Sequence, residues 1–418
     1  CHMPTTGFAR MKRSDHSMLP PTPAATARYG SPNACNACHT EAERDAAWAD
    51  ELVREWHGDE YREIILRRAD MVHLARKRDW SLLDDTLAYV ADRNNDEIFR
   101  ASLVRLLAGC EDEKVSPALV SALSDPSPLV RAAAAATLGT RLAPGVVPAL
   151  VKLTGDDYRL VRIRAAEALA SIPTGPTGAL AGEDEARLDA ATREYLASLT
   201  VNPDRWFSHY NLANFHLDRG EHKKAVAAYE TALRLEPTAV MAMSNLAAAH
   251  AQLGDLDEAN GRLAEALRIA PDDAAVNFNM GLLQAELGDM RAAERHLRKA
   301  LESDPALHAA AFNLGVMLAD ARPGESMDFL KKAFELLPGP DYAYTVAYYM
   351  RENGELEKAA SFLEESIGKW PGSTDQYLLL AEIYRARGKT EEAEKLLSAL
   401  TKNPGVPPEE KARKAQGH

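Results

Sequence analysis

Residues 203–237 read PDRWFSHYNLANFHLDRGEHKKAVAAYETALRLEP, and their pattern returns along the rest of the chain. Four prolines are evenly spaced and three more continue at an interval that is one position shorter, namely Pro203, Pro237, Pro271, Pro305, Pro338, Pro371 and Pro404. A period of this length is typical of a helix–turn–helix unit that cannot bury its apolar face alone and therefore stacks on its copies. Residues 203–404 are predicted to form about six helix pairs.

Positions inside the unit repeat as well. First helices carry an apolar residue followed by a small one, turns carry a glycine, and second helices carry an alanine early on: Leu212-Ala213, Leu246-Ala247, Met280-Gly281 and Leu314-Gly315; Gly220, Gly254 and Gly288; Ala225, Ala259 and Ala293. The pattern resembles the tetratricopeptide repeat (TPR), which implies a superhelix with a groove for a peptide or partner segment. The fourth unit departs at its turn, Arg322-Pro323-Gly324, and is one residue short.

Residues 80–173 carry a second repeat, whose period is slightly shorter. Its members are an apolar residue followed by arginine, and a polar residue just before the same helix: Phe99-Arg100, Val130-Arg131 and Val161-Arg162; Asn94, Asp125 and Asp156. The pattern resembles HEAT-like repeats, and the arginines and acids are expected to bond between neighbouring repeats. Residues 174–202 are predicted to be a linker with some helix, and 405–418 a polar tail.

The predicted fold class is therefore all-α, with an α-solenoid of HEAT-like and then TPR helix pairs. It follows an irregular haem-binding segment, and residues 1–79 are assigned to this segment and the helices behind it. Helices are expected from Glu41 to about His57 and from Tyr61 to Arg78. In the first of these helices, Trp48, Leu52 and Trp56 are spaced so that their side chains are predicted to form one apolar stripe.

One motif points directly at chemistry. Cys35-Asn36-Ala37-Cys38-His39 is a C-x-x-C-H run, the pattern of covalent c-type haem attachment. Each thiol can add across one haem vinyl group, and the histidine can bind the iron. The chain opens with Cys1-His2-Met3, which matches the end of a second such motif, so we expect a truncated haem site there. The alternative is that His2-Met3 is a cloning junction.

Other ligands and another metal fit the same region. The sixth iron ligand is predicted to be His16 or His73. Zinc is the alternative to haem, because Cys35, Cys38 and His39 could bind it with Cys1 or His16 as the fourth donor.

Three segments together carry a further resemblance: Cys1-His2-Met3-Pro4, Arg13 to His16, and Pro32 to Thr40. They resemble multihaem c-type cytochromes of the doubled C-x-x-C-H class that also contain HEAT and TPR repeats. The resemblance implies thioethers at Cys35 and Cys38 and His39 as the proximal ligand, and Cys1 and His2 would serve a preceding haem. It also implies an exported bacterial protein, periplasmic or extracellular, that transfers electrons to redox partners.

Charge and composition exclude some classes of partner. The formal net charge is -13, so the basic footprint that nucleic-acid binding needs is missing. The sequence has no uninterrupted apolar run of about 18 residues, and no membrane span is therefore predicted. Acidity favours a basic redox partner.

A row of asparagines is the predicted partner-binding site of the TPR array. Asn211, Asn245, Asn279 and Asn313 recur on the first helices at the same interval as the first four prolines. The resemblance to TPR domains implies that asparagine at this place can bond the backbone of a bound peptide, and its alternative role is packing between repeats. Phe207, Tyr210 and Phe278 are expected to face the same groove.

The predicted function is that of an electron-transfer cytochrome whose solenoid docks protein partners, a carrier rather than a catalyst. Two alternatives remain open at this point. One is an interaction scaffold with a structural haem or metal, and the other is a part of a multihaem reductase.

Overall fold

The computed structural model describes residues 5–8, 11–14, 22–141, 145–172, 180 and 182–402, with the backbone alone at 5–8, 11–14, 401 and 402. The chain divides into two compact units, Cys1–Ser198 and Leu199–His418. No helix among the described residues combines the length and the apolar character that crossing a membrane requires.

The N-terminal segment has more regular structure than the sequence indicated. Strands β1 (Thr5–Phe8) and β2 (Met11–Ser14) pair antiparallel, with Thr5 opposite Ser14 and Phe8 opposite Met11. Helix α1 (Pro23–Tyr29) follows, with a proline at its first turn and Gly30 in the left-handed conformation at its end. The expectation of an irregular segment is therefore wrong for these residues.

Two longer helices follow, α2 (Ala46–His57) and α3 (Glu63–Arg76), joined by a 3-10 turn at Glu60–Arg62. Helix α2 begins later than predicted because the Asp45 side chain caps it, accepting from the Trp48 N–H at 2.9 Å. The predicted apolar stripe is wrong: Ala49 and Val53 are buried, whereas Trp56 is 66% exposed.

The rest of the first unit consists of seven helices among its described residues: α4 (Leu83–Ala91), α5 (Glu97–Leu106), α6 (Val115–Ala122), α7 (Pro128–Leu138), α8 (Val147–Leu153), α9 (Arg159–Ala168) and α10 (Glu183–Leu199). Helices α4 to α9 form three consecutive pairs around one apolar core. Helix α10 contributes the buried Leu188 to the same core.

A ladder of ion pairs crosses this unit, as the repeat spacing predicted. The buried Arg100 guanidinium bonds both carboxylate oxygens of Asp125, and Arg131 bonds Asp156 at 2.8 and 2.9 Å. The last arginine, Arg162, bonds Glu194 of α10 at 2.9 Å. Burial on its own raises the pKa of Asp156, but the hydrogen bonds from Arg131 and the Tyr158 N–H, with the charges of the two nearby arginines, outweigh it and hold this pKa below its usual value.

The second unit is built of helix pairs throughout its described residues. They are α11 (Trp206–Asp218) with α12 (His222–Leu235), α13 (Val240–Gln252) with α14 (Leu256–Ile269), α15 (Ala274–Glu286) with α16 (Met290–Ser303), α17 (His308–Leu318) with α18 (Pro323–Leu336), α19 (Pro340–Glu352) with α20 (Leu356–Lys369), and α21 (Thr374–Ala386) with α22 (Thr390–Lys402). Each odd-numbered helix is called here the first helix of its pair, and each even-numbered one the second helix.

Small residues decide how closely the two helices of a pair approach. A Cβ added to Gly315 would lie 2.6 Å from Leu330 Cγ and 3.1 Å from its backbone nitrogen. Gly281 meets Leu297 in the same way. In the fourth pair Pro323 is the first residue of α18, and α17 is correspondingly short, ending at Leu318.

Candidate functional site

The C-x-x-C-H run folds into a single helical turn. The Cys35 carbonyl accepts from the Cys38 N–H at 3.1 Å and from the His39 N–H at 2.9 Å. Residues at i, i+3 and i+4 of a helical turn share one face, so both thiols and the imidazole leave the backbone on the same side. Cys38 and His39 are exposed, Cys35 is half-buried, and both thiols are free.

Asparagine side chains fix this turn. The buried Asn33 accepts from the Asn36 N–H at 3.0 Å and donates to Thr26 Oγ1 of α1 at 2.8 Å. Asn36 in turn donates to the Arg44 carbonyl at 2.6 Å. The turn is thereby tied to α1 on one side and to the segment before α2 on the other.

His39 has two neighbours that bear on iron binding. Its ring lies edge-on to Trp48, with centroids 5.0 Å apart, and its Nδ1 is 3.4 Å from Arg44 Nη1. A guanidinium can only donate, so this contact requires an unprotonated Nδ1 and places the proton on Nε2. Iron binding through Nε2 requires the opposite tautomer, so Arg44 must then move away from His39.

The residues present fit a c-type haem in the remaining respects. Two free thiols and an exposed imidazole share one open face, which a large flat group can approach without unfolding the turn. Burial raises the pKa of the Cys35 thiol, whereas Cys38 is exposed. Cys35 is therefore expected to be the less reactive of the two thiols.

The structure describes one of the two predicted sixth ligands, His73, and shows no contact between it and this turn. His73 is half-buried on α3 and packs against Tyr29 of α1, with ring centroids 4.6 Å apart. Tyr29 in turn hydrogen-bonds Asp70. No contact between described residues joins His73 to His39. Cys1, His2 and His16 lie outside the described residues.

The zinc alternative requires donor atoms that converge on one point. A structural zinc needs four donors converging at about 2.0–2.3 Å from one point. Within the described part of the chain, no three His, Cys, Asp or Glu side chains are grouped so that they could hold a metal ion. Haem attachment needs no such convergence, since the two thiols bond separate points on the ring. Cys1 and His16, the predicted fourth donors for zinc, lie outside the described residues.

The asparagine row of the second unit bridges neighbouring first helices. Asn245 donates to Tyr210 Oη at 3.2 Å and to Asn214 Oδ1 at 3.1 Å, and Asn279 donates to Ser244 Oγ at 2.9 Å. Asn313 instead bonds the Ala309 carbonyl of its own helix. The Asn211 side chain has no hydrogen-bond partner among the described residues. Peptide binding by this row stays a prediction, and two of its amides already serve packing between repeats.

The same first helices expose apolar side chains, of which the sequence had indicated only Phe207. The exposed fractions are 43% for Phe207, 58% for Met241, 38% for Leu282 and 39% for Val316. The signal was available, because Met241 follows Phe207, and Val316 follows Leu282, at the interval that separates the first four prolines. Tyr210 and Phe278, which were expected in the groove, are half-buried.

Comparison with known families agrees with both repeat predictions. The family model of HEAT repeats matches residues 85–170. Models of tetratricopeptide repeats match residues 214–254, 238–306 and 350–407. A search of the curated proteins gave no match.

Several solved structures resemble part of the chain. PilW, a type IV pilus biogenesis factor, is 25% identical over 50% of this chain and 97% of its own, with a TM-score of 0.43. Pseudomonas aeruginosa pilF is 19% identical over 50% and 97%, with a TM-score of 0.42. YrrB, a TPR protein with an unusual peptide-binding site, is 22% identical over 43% and 94%, with a TM-score of 0.35. TM-scores this low indicate nothing about what this chain binds. The family models show that the chain carries HEAT repeats followed by tetratricopeptide repeats, an architecture suited to protein–protein interaction.

Proposed function

We propose that this chain is a haem-bearing docking protein. A c-type haem on Cys35, Cys38 and His39 would exchange electrons with a redox partner that the repeats bind. The observation that carries the proposal is the turn at 35–39, where both thiols and the imidazole share one open face. A c-type haem supplies a one-electron redox centre when bound.

The chain's own residues have defined roles in this proposal. Cys35 and Cys38 hold the group through thioethers, and His39 is the proximal ligand. Asn33 is a positioning residue, because its side chain fixes the turn against α1. His16 and His73 remain the proposed sixth ligands, and Cys1 and His2 are proposed to serve a second haem.

Docking is assigned to the exposed face of the first helices in the second unit. The apolar side chains there remain 38–58% exposed within the described part of the unit, and such side chains in rows are typical of interaction surfaces. The asparagine row Asn211, Asn245, Asn279 and Asn313 is proposed to contribute polar contacts.

The proposal also implies a location. Haem c is attached on the outer face of the bacterial cytoplasmic membrane, so a haem-bearing chain is exported and works in the periplasm or outside the cell. Fractionation of the native host, followed by haem staining, tests this point.

The first experiment is expression with a haem-attachment system and a pyridine haemochrome spectrum of the denatured protein. We expect a c-type band at one haem per chain, lost when Cys35→Ser and Cys38→Ser are combined. Cys110→Ser is the matched control, because this buried thiol lies in the core of the first unit and should leave the haem content unchanged. A wild-type chain without covalent haem would refute the haem assignment.

A second function, a scaffold without haem chemistry, is favoured by one specific contact. The Arg44–His39 contact is compatible only with the imidazole tautomer that cannot bind iron through Nε2. On this reading the full chain binds its partner equally well with and without Cys35→Ser and Cys38→Ser. A partner affinity that follows the haem redox state would exclude it.

A further inference from the structure

A repeated motif on three consecutive first helices carries an inference about the partner. An aromatic residue, an apolar or aromatic residue and an acid stand at i, i+4 and i+8 of α15, α17 and α19. We call these three sets the acid-tipped stripes: Phe278, Leu282 and Glu286; Phe312, Val316 and Asp320; Tyr344, Tyr348 and Glu352. Because residues four apart are neighbours on a helix surface, each set runs along one face of its helix.

The acids stand where helix electrostatics disfavours them. Glu286 and Glu352 are the last residues of α15 and α19, and Asp320 lies two residues beyond the end of α17. The C-terminus of a helix carries partial negative charge, so an acid there costs stability. Glu286 and Asp320 are exposed and have no ion-pair partner among the described residues. A local penalty that recurs in three successive repeats is typical of a functional position.

The three stripes lie side by side. His308 Nδ1 is 2.8 Å from Tyr342 Oη, and the Phe312 and Tyr342 rings are 5.0 Å apart, which joins α17 to α19. Phe278 and Phe312 pack against the same buried cluster, which joins α15 to α17. The stripes therefore form one surface with an apolar middle and an acidic edge. In the apolar middle, Leu282 and Val316 are more than a third exposed.

The basic residue Arg351 lies beside this surface. Arg351 stacks on the Tyr348 ring at 4.7 Å and pairs with Glu352 at 2.9 Å and Glu382 at 2.7 Å. Its charge is thus already shared between two acids, and the uncompensated charges of the edge are those of Glu286 and Asp320.

We infer that the acid-tipped stripes bind a basic, apolar protein segment. Its apolar side chains pack on Leu282, Val316 and Tyr348, and its lysines or arginines pair with the acidic edge. The inference rests on the docking role proposed above and names the chemistry of the docked partner. Charge complementarity selects the occupant, since an acidic or neutral segment would leave the edge uncompensated.

The test uses the full chain and a fluorescent peptide of alternating lysine and leucine, with a glutamate–leucine peptide as the comparison. Glu286→Gln combined with Asp320→Asn should weaken binding of the lysine peptide about tenfold at low salt, as expected for two exposed ion pairs. The matched control is Glu335→Gln combined with Asp328→Asn on α18, a second helix. It removes the same charge and should change binding less than about twofold.

An equal loss in the control variant would overturn the inference, since binding would then follow net charge alone. Equal binding of the glutamate peptide would overturn it too. A second double variant, Leu282→Ser combined with Val316→Ser, distinguishes failure of the inferred basic character from failure of the docking proposal. If that pair abolishes binding and the charge pair does not, the face docks apolar segments but the basic character is wrong. If neither pair changes binding, the face is not the docking site.

Discussion

The buried ion pair Arg100–Asp125 allows a prediction with a magnitude. The side chains of Arg100 and Asp125 are 2% and 6% exposed, and Arg100 Nε also donates to the Val90 carbonyl at 2.8 Å. Asp125→Asn keeps an oxygen that can accept from the Ser127 N–H but leaves the guanidinium buried without a counter-charge. The expected cost is about 3–5 kcal/mol in the free energy of unfolding of the first unit.

The chain offers a matched control for this change. Lys114 pairs with Asp84 at 2.8 Å and also joins two consecutive HEAT helix pairs, but these side chains are 55% and 80% exposed. Asp84→Asn should therefore cost less than about 1 kcal/mol. Urea unfolding followed by circular dichroism compares the variants, and hydrogen exchange of α5 and α7 localises the effect.

A third variant tests whether the uncompensated charge of Arg100, and not the loss of contacts alone, causes the destabilisation. Arg100→Met added to Asp125→Asn removes the uncompensated charge and should recover most of the lost stability, because a buried pair replaced by groups without charge is often nearly neutral. The reasoning would be refuted if Asp125→Asn cost no more than Asp84→Asn. It would also be refuted if the double variant were no more stable than Asp125→Asn alone.

Further predictions concern packing, pH and thiol reactivity. Gly315→Ala should destabilise the second unit by about 1–3 kcal/mol through overpacking. Gly261→Ala, in open space on α14, should stabilise it by about 0.5–1 kcal/mol, and denaturant midpoints would show these opposite signs. The lowered pKa of Asp156 stabilises the folded state above the unfolded pKa near 4, and this contribution is lost as pH falls through the folded pKa. Asp156→Asn should therefore flatten the loss of thermal stability below about pH 4. In the haem-free chain iodoacetamide should modify the exposed Cys38 before the half-buried Cys35, and the buried Cys110 only on unfolding, which peptide mass mapping would detect.

Features that follow from the repeat period could be predicted from the sequence. The spacing of Arg131 and Asp156 predicted a bond between neighbouring HEAT repeats, and this bond is present. A period places equivalent residues at equivalent points of a stack, so one residue type at each point is enough to indicate the contact.

Features that depend on the packing of one particular helix could not be predicted in this way. The spacing of Trp48 and Trp56 indicated the buried face of α2, yet Ala49 and Val53 are buried instead. Small residues can face a close neighbour where a large indole cannot, and the spacing carries no information on how close that neighbour is. The hydrogen bond from Asn245 to Tyr210 could not be predicted either, because the spacing does not tell how close these two side chains lie.

The ladder from Arg100 to Glu194 runs in one direction only, each arginine reaching toward the C-terminal neighbour. A tandem duplication or deletion of one whole repeat unit would leave every donor with an acceptor, so the array can change length by recombination without exposing a buried charge. The last acceptor is different, because Glu194 belongs to α10 and not to another repeat. Removing α10 would leave Arg162 without its carboxylate partner. Any redesign of the length of the array therefore has to keep α10 at its C-terminal end.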